Sequence, residues 1–321
     1  MSINSETVNA DNKKLSKVKS WNPNKSQHRL AFLFLCPWIL GFLLLNIYPI
    51  VSSFYFSFTK YNLVKKAQFI GLKNFIKIFS RDKSFLQSLH NSLYLLFVGV
   101  TIQLAFSILC AVLLNQRMKA RGFFRTAWYI PTLVSPAASA LVWLWLLNPE
   151  YGLVNAFLRF LHLPEPLWLL SEYWSKPAII LMSIWAAGTT IIVYLSGIGE
   201  IPKDYYESMD LDGANAWTKF RHITWPMLSG LTLFQIINGI IMSFNSFTQS
   251  YIIASVNVKA GSNIGGYKNS LLFYAVNIYN ESFNKLNFGY ASALAVIMFI
   301  IVLTVTLLLF RVTRRWVNYD E

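Results

Sequence analysis

Five side chains recur at regular intervals in the long apolar stretch between residues 222 and 258. Its members follow one another at steps of three or four residues, the spacing that brings side chains to one face of a helix: Gln235, Asn238, Met242, Asn245 and Gln249. Amide groups both donate and accept hydrogen bonds, as sugar hydroxyl groups require. Aromatic rings, whose faces suit the apolar side of a pyranose, follow closely at Phe244, Phe247 and Tyr251. We call the first five residues the amide stripe.

Two interpretations of the amide stripe stay open from the sequence alone. Either it lines a path for a saccharide, or its amides join neighbouring helices through hydrogen bonds, a common use of such residues in membranes. The stripe contains no Lys or Arg, the cations that usually bind phosphate groups. A neutral saccharide is therefore favoured over a phosphorylated solute such as glycerol phosphate.

A second segment whose residues could have a binding function is the polar loop at residues 200–226, which we call the docking loop. Pro202 favours the start of a helix, Gly213 ends it, and Asp212 is placed to cap a second helix that includes Phe220. A helix–glycine–helix unit with apolar side chains beside carboxylates suits a groove on a soluble partner. An amphipathic loop lying on the membrane surface is the alternative.

Residues that would support catalysis or cofactor binding are missing from the sequence. No phosphate loop of the type Gly-x4-Gly-Lys-Ser/Thr occurs, and the two cysteines and four histidines show no metal-ligand spacing. We therefore predict no catalytic residue, no metal site and no directly bound cofactor. The net charge of +14 is attributed to loops that fix membrane topology rather than to nucleic-acid binding.

The elements that position these residues are long apolar helices. Only 13% of the residues are charged, whereas soluble domains carry about 25%. A helix needs about 20 residues to cross a bilayer, and six stretches without Asp, Glu, Lys or Arg exceed that length: 30–59, 84–116, 126–149, 177–199, 222–258 and 286–310. Barrel strands would show short alternating segments instead. The sequence predicts an all-α integral membrane protein with six transmembrane helices.

The expected domain organisation is a flexible cytosolic arm (1–29), a six-span domain (30–312) and a cytosolic tail (313–321). The spans are expected near residues 31–56, 92–115, 126–148, 177–199, 227–251 and 287–310. With both ends in the cytosol, the inside loops carry 16 of the 28 Lys and Arg residues, as the positive-inside rule requires. Pro131 and Pro136 predict a kink in the third span. The segments 151–171 and 269–280 are expected to form short helices on the outer face.

The docking loop resembles the coupling motif of ATP-binding-cassette importer permeases, in which Glu-Ala-Ala is followed by Asp-Gly-Ala and an Ile-x-Leu-Pro close. The matching residues are Glu207, Asp212, Gly213, Ala214, Phe220, Ile223 and Pro226. Ser208 and Met209 replace the two alanines, and Trp225 replaces the leucine. Segments 57–75, 122–158 and 288–296 look like the sugar-permease branch of this family, so the resemblance covers about residues 30–312. The outer loop 254–270 departs from it, because it lacks the proline of the usual Gly-Gly-Pro stretch.

The resemblance implies a non-catalytic subunit that docks on a separate ATPase. The residues implied in docking are Tyr206, Glu207, Met209, Asp210, Asp212, Gly213, Ala214 and Phe220. It also implies a second, homologous permease, a dimer of ATPases that use the ATP, an extracellular solute-binding protein, and a place in a bacterial cell membrane. The amide stripe would then lie on the translocation path for a sugar or oligosaccharide.

Other functions remain possible from the residues. A self-sufficient six-span carrier or channel is the main alternative, although the absence of charged residues from the spans disfavours proton coupling. A permease for glycerol-phosphate-like substrates is a further alternative. The docking loop discriminates between these classes, because a self-sufficient carrier has no need of it.

Overall fold

The computed structural model describes residues 25–116, 119–256 and 264–313, with side chains from residue 32 onward. Most of the expected arm, the centre of the atypical outer loop and nearly all of the expected tail lie outside the described residues. The chain divides into two units at residues 52 and 53. The described part of the first unit is helical from Lys25 onward, so residues 25–29 of the expected arm belong to a helix. All candidate site residues belong to the second unit.

Helices and short turns make up the first half of the described chain. The α-helices are α1 (Lys25–Phe42), α2 (Tyr48–Ser57), α3 (Lys73–Arg81), α4 (Lys83–Tyr94), α5 (Thr101–Asn115), α6 (Arg121–Tyr129), α7 (Pro136–Leu146) and α8 (Leu153–Phe160). π-Helical turns at Leu43–Ile47 and Leu95–Val100 join α1 to α2 and α4 to α5, and a 3₁₀ turn at Ile130–Leu133 follows α6. Strands β1 (Thr59–Lys60) and β2 (Gln68–Phe69) form a small antiparallel hairpin, with Thr59 opposite Phe69.

The second half is also helical. Its α-helices are α9 (Ser175–Trp185), α10 (Gly188–Glu200), α11 (Lys203–Leu211), α12 (Ala216–Lys219), α13 (Trp225–Met227), α14 (Ser229–Phe244), α15 (Thr248–Val256), α16 (Tyr274–Tyr279) and α17 (Phe288–Thr313). π-Helical turns lie at Phe220–Thr224 and Asn280–Asn284, and a 3₁₀ turn lies at Tyr267–Asn269.

The described chain contains four helices long and apolar enough to cross a membrane, and six candidate spans if each of two bent helix pairs is counted as one span. In chain order, spans 1 to 6 are Phe32–Ser57, Lys83–Asn115, Arg121–Leu133 with Pro136–Leu146, Ser175–Trp185 with Gly188–Glu200, Ser229–Val256 and Phe288–Thr313. The structure therefore confirms the predicted all-α membrane fold, and it agrees with six spans when each bent pair is counted as one.

The two bent spans have local causes. Span 3 turns by 102° at Pro136, which cannot donate a backbone hydrogen bond, while the Ser135 hydroxyl accepts from the Ala138 N–H at 3.3 Å and starts a new helix. Span 4 bends by 50° just before Gly188, where an added Cβ would lie 2.1 Å from the Trp128 carbonyl oxygen. Proline and close backbone contact thus fix both bends.

Close helix contacts hold the second unit together. An added Cβ at Gly239 of span 5 would lie 2.5 Å from Val100 Cγ1 of span 2, and one at Gly197 of span 4 would lie 2.2 Å from Leu231 Cδ1 of span 5. Small residues promote this packing in membranes, where apolar helices gain little from leaving lipid. Spans 2, 4 and 5 consequently approach one another closely.

The short helices outside the spans partly match expectation. Helix α8 lies within the predicted segment 151–171, and the Arg159 guanidinium, which hydrogen-bonds Glu165 at 2.9 Å, lowers the pKa of that carboxyl group. The other segment, 269–280, contains α16, in which Tyr274 is fully buried and its hydroxyl donates to the Leu294 carbonyl at 2.9 Å; its place on an outer face stays a prediction. Helix α16 is therefore part of the core.

Candidate translocation path and docking loop

The amide stripe begins on a regular helix and ends beyond a helix break. Gln235, Asn238 and Met242 belong to α14, whereas Asn245 follows its last residue and Gln249 belongs to α15. The backbone N–H and the side-chain amide of Asn245 both donate to the Ile241 carbonyl at 3.1 Å. The expected single helical stripe is therefore interrupted, because Asn245 terminates α14.

Two neighbouring cavities bring the stripe together despite this break. The larger, of about 480 Å³, is lined by Gln235, Asn238, Met242 and Gln249. The smaller, of about 320 Å³, is lined by Met242, Asn245 and Gln249. Because Met242 and Gln249 border both cavities, all five predicted residues face one continuous region beside span 5.

Hydrogen bonds of the stripe stay within its own helix. The Asn238 amide donates to the Phe234 carbonyl at 3.2 Å, four residues earlier, as Asn245 does to Ile241. Among the described residues, the side chains of Gln235 and Gln249 have no hydrogen-bond partner. In the part of the chain that the structure describes, the stripe thus makes none of the interhelical amide bonds that its alternative interpretation requires, and acceptor oxygens remain available to a solute.

Spans 2 and 4 supply polar groups that the sequence argument missed. The cavities are also lined by residues that combine a polar side chain with a position in a span: Gln103, Ser183, Thr189 and Thr190. Each is a polar residue within an otherwise apolar stretch, which is the signal that could have identified them. Within the described ranges, neither cavity is lined by Lys, Arg, Asp or Glu.

The three aromatic residues expected beside the stripe have different positions. Phe244 is fully buried in the core, with its ring centroid 6.0 Å from that of Tyr274. Phe247 lines the smaller cavity and stacks on Tyr251 at 5.1 Å. Tyr279 adds a third ring to this group, 5.0 Å from Phe247. The expectation for Phe244 was wrong, because helical periodicity alone does not show which face meets the core.

The first helix of the docking loop is α11, and glycine geometry ends it. Gly213 has a φ of +73°, a conformation that glycine adopts without steric cost. The Gly213 N–H donates to the Asp210 carbonyl at 3.1 Å, and the Ala214 N–H donates to the Met209 carbonyl at 3.0 Å. These bonds form the Schellman motif that satisfies carbonyl groups at a helix end.

The second helix begins later than predicted. Asn215, not Asp212, caps it, because the Asn215 side chain accepts from the Thr218 N–H at 2.9 Å and α12 starts at Ala216. Asp212 instead lies at the C-terminal end of α11. Both residue types favour helix starts, and the Gly213 turn leaves Asn215 as the residue that precedes the new helix.

The predicted docking residues have two orientations. Glu207, Asp210, Asp212 and Gly213 are exposed, whereas Met209 and Ala214 are half-buried. Tyr206 and Phe220 face the spans: the Tyr206 hydroxyl lies 2.9 Å from Thr224 Oγ1, and Phe220 packs against the buried apolar cluster of spans 2 and 4. Asp210 also forms an ion pair with Lys219 of α12.

Two further exposed residues on α11 were not predicted from the sequence. Leu211 is 90% exposed and Tyr205 is 52% exposed. The sequence feature that could have indicated the exposure of Leu211 is its position directly before an Asp-Gly turn. Leu211 follows Glu207 by four residues, so these two side chains share one exposed face of α11, whereas Tyr205 lies on a different face.

Metal-ligating groups do not gather near either region. Within the described residues, no group of three or more His, Cys, Asp or Glu side chains is placed to hold a metal ion. The geometry therefore offers hydrogen bonding and aromatic contact along the cavities, and a protruding helix at the docking loop.

Comparison with known proteins places these features in one family. Residues 103–318 match the family described as "Binding-protein-dependent transport system inner membrane component". The chain is 33% identical over 293 residues to the probable ABC transporter permease protein YesP of Bacillus subtilis, covering 91% of this chain and 92% of that one. It is 30% identical to the arabinooligosaccharides transport system permease protein AraP of the same organism, covering 88% of each chain.

Solved structures share the fold. A chain of a bacterial ABC transporter involved in the import of the acidic polysaccharide alginate superimposes with a TM-score of 0.77 at 23% identity, covering 91% of this chain and 98% of that one. A chain from a bacterial alginate ABC transporter, in complex with an alginate pentasaccharide-bound periplasmic protein, gives a TM-score of 0.78 at 22% identity, covering 92% and 98%. The family match and the sequence relatives together show that this chain belongs to the family of binding-protein-dependent transport system inner membrane components.

Proposed function

We propose that this membrane subunit forms one half of the translocation path of an ATP-driven importer for a sugar or oligosaccharide. The observation that carries the proposal is the pair of neighbouring cavities beside span 5, which gather the whole amide stripe. Their lining offers amide and hydroxyl groups without any fixed charge, a chemistry that suits a neutral polyhydroxylated solute.

The names of the relatives support this substrate class. AraP is named for arabinooligosaccharide transport, and a 28% identical permease of Thermococcus litoralis is named for trehalose and maltose. The absence of Lys and Arg from the cavity walls argues against a phosphorylated solute, because phosphate is usually held by those cations.

The exposed helix of the docking loop supports the proposal that a separate protein supplies the energy for transport. Helix α11 projects Glu207 and Leu211 to solvent, and an amphipathic helix of this kind suits a groove on a partner protein. We therefore propose docking on an ATPase dimer, with Glu207, Asp210, Asp212 and Gly213 at the surface and Met209 and Ala214 partly covered. Tyr206 and Phe220 then face the spans rather than the ATPase, and they hold the docking loop in place. A second permease and an external binding protein complete the proposed assembly, with both chain ends in the cytosol.

Uptake by the reconstituted complex tests the path. The double variant Asn238→Leu with Asn245→Leu removes two amides that bond only within their own helix, so assembly should persist while transport of labelled malto- and arabino-oligosaccharides falls. The matched control is Thr304→Leu, an exposed polar residue on span 6. Normal uptake by the double variant would contradict the path, and uptake that does not depend on ATP would indicate a self-sufficient carrier instead.

A further inference from the structure

An apolar groove of about 760 Å³ lies where span 2 meets the docking loop. Of its nine lining residues, eight are apolar or aromatic. The largest of them come from α5 and from the segment that enters span 5: Ile108, Leu109, Trp217, Phe220 and Trp225. The ninth residue is Arg221, which is the only charged residue among the described residues that line the groove.

The Arg221 guanidinium is available to a ligand. Its side chain is exposed, and it has neither a hydrogen-bond partner nor an ion-pair partner among the described residues. A guanidinium group presents a planar fork of donors that matches a phosphate group in two parallel hydrogen bonds. The groove therefore combines an apolar interior with one unpaired phosphate-binding group.

The groove lies at the end of span 2. Val112 and Phe220 also border a smaller cavity together with Asn115, the last residue of span 2. The Arg121 guanidinium donates to the Asn115 side chain at 3.0 Å, which adds a second cation at this level. Trp217 is 67% exposed, and tryptophan is enriched at membrane–water interfaces.

The groove is continuous with an exposed apolar stripe on α5. Ile102, Leu109 and Leu113 of α5 are 43%, 58% and 48% exposed, and their spacing places them on one stripe of the helix. Leu109 belongs to both the stripe and the groove. An acyl chain that follows this stripe reaches the groove without crossing a polar surface.

From these observations we propose that an anionic phospholipid occupies the groove, with an acyl chain between α5 and Trp217 and its phosphate on Arg221. Charge complementarity favours this occupant over a zwitterionic lipid, because clusters of Arg and Lys at the ends of spans attract anionic headgroups. Trp217, Phe220 and Trp225 belong to the docking loop, so the bound lipid supports the loop from the membrane side.

Photocrosslinking in the complete transporter tests this proposal. The complex is placed in nanodiscs with equal amounts of phosphatidylglycerol and phosphatidylcholine, and benzoylphenylalanine replaces Leu109. We expect phosphatidylglycerol adducts to dominate and Arg221→Gln to reduce them by roughly tenfold, the scale of one hydrogen bond to a charged group. Arg81→Gln, at the opposite end of span 2, should leave them unchanged.

A second probe position and the identity of the adduct make the test decisive. Benzoylphenylalanine in place of Leu303, which is 44% exposed on span 6, should react with both lipids equally. Equal reaction at position 109 in the protein with Arg221 intact would overturn the proposal. Adducts at position 109 to a peptide of the second permease or the ATPase would also overturn it, and would identify the groove as a subunit interface.

Discussion

The hydroxyl group of Tyr206 lies 2.9 Å from Oγ1 of Thr224, so a hydrogen bond joins α11 to the π-helical turn that leads into span 5. Thr224 is buried, and the Asp210–Lys219 ion pair adds a second link between α11 and α12. A displacement of α11 by a partner would therefore be transmitted to span 5, which carries the amide stripe.

The Tyr206–Thr224 bond is expected to matter for coupling. Tyr206→Phe removes the bond but keeps the ring, and a typical hydrogen bond contributes about 1 kcal/mol. We expect the amount of sugar transported per ATP hydrolysed to fall by roughly fivefold. Both rates are measured in the same proteoliposomes. Tyr129→Phe is the control, since that hydroxyl lies outside the docking loop and has no partner among the described residues, and an unchanged ratio in Tyr206→Phe would refute the role.

Gly213 is expected to control docking through its backbone. An added Cβ there meets nothing within 4 Å, but its φ of +73° disfavours any other residue, by about 1–2 kcal/mol. Gly213→Ala should therefore weaken ATPase binding by roughly 5- to 30-fold, measured by titrating labelled ATPase onto the permease complex.

Two variants separate backbone strain from added volume at this turn. Gly213→Asn should bind better than Gly213→Ala, because asparagine tolerates this conformation more readily. Gly199→Ala adds a methyl group where nothing lies within 4 Å and φ is ordinary, so it should bind normally. Equal affinity of Gly213→Ala and the original protein would show that α11 does not need its Schellman end.

Local sequence patterns were sufficient for the membrane-spanning segments. The number of spans can be predicted because the length of each apolar stretch is a local property of the sequence. The bend at Pro136 can be predicted because proline lacks a backbone hydrogen-bond donor. The break after Asn245 was not predictable in the same way. The Asn245 side chain competes with backbone N–H groups for a carbonyl acceptor. Whether Asn245 continues the helix or ends it depends on how α15 packs.

Tertiary contacts decide the remaining features of the site. Gln103 and Ser183 lie on spans 2 and 4, and no local pattern indicates that they meet the stripe on span 5. Phe244 illustrates the same limit, because its burial depends on Tyr274, thirty residues away in the chain. The docking loop was predicted better, since its Asp-Gly turn is local, but its second cap was misassigned to Asp212 instead of Asn215.

The bend in span 4 is expected to need a glycine. An added Cβ at Gly188 would lie 2.1 Å from the backbone carbonyl oxygen of Trp128, and backbone atoms move less easily than side-chain ends. Gly188→Ala should reduce the free energy of unfolding by about 1–3 kcal/mol, the usual cost of overpacking, and lower the melting temperature in detergent. Gly122→Ala, where nothing lies within 4 Å, is the matched control. Equal melting temperatures would mean that span 4 relaxes without cost.

A charge-assisted hydrogen bond is expected to fix span 6 against the start of span 2. The Tyr290 hydroxyl donates to Asp82 Oδ2 at 2.5 Å, and Tyr290 is only 6% exposed. Hydrogen bonds to charged groups contribute about 1.5–3 kcal/mol, so Tyr290→Phe should destabilise the protein by that amount in thermal unfolding. Tyr129→Phe, which alters a partly exposed hydroxyl without a partner among the described residues, should have no effect.

Asp82 is expected to contribute more than this one bond. Its other carboxylate oxygen accepts from the Ser84 and Phe85 N–H groups at 2.8 and 3.1 Å and so caps α4. Loss of such a cap costs about 1 kcal/mol in addition. Asp82→Ala should therefore destabilise the protein more than Tyr290→Phe, and the double variant should be no worse than Asp82→Ala, because the Tyr290 hydroxyl has already lost its acceptor. Additive losses in this double-mutant cycle would show that the two side chains act independently.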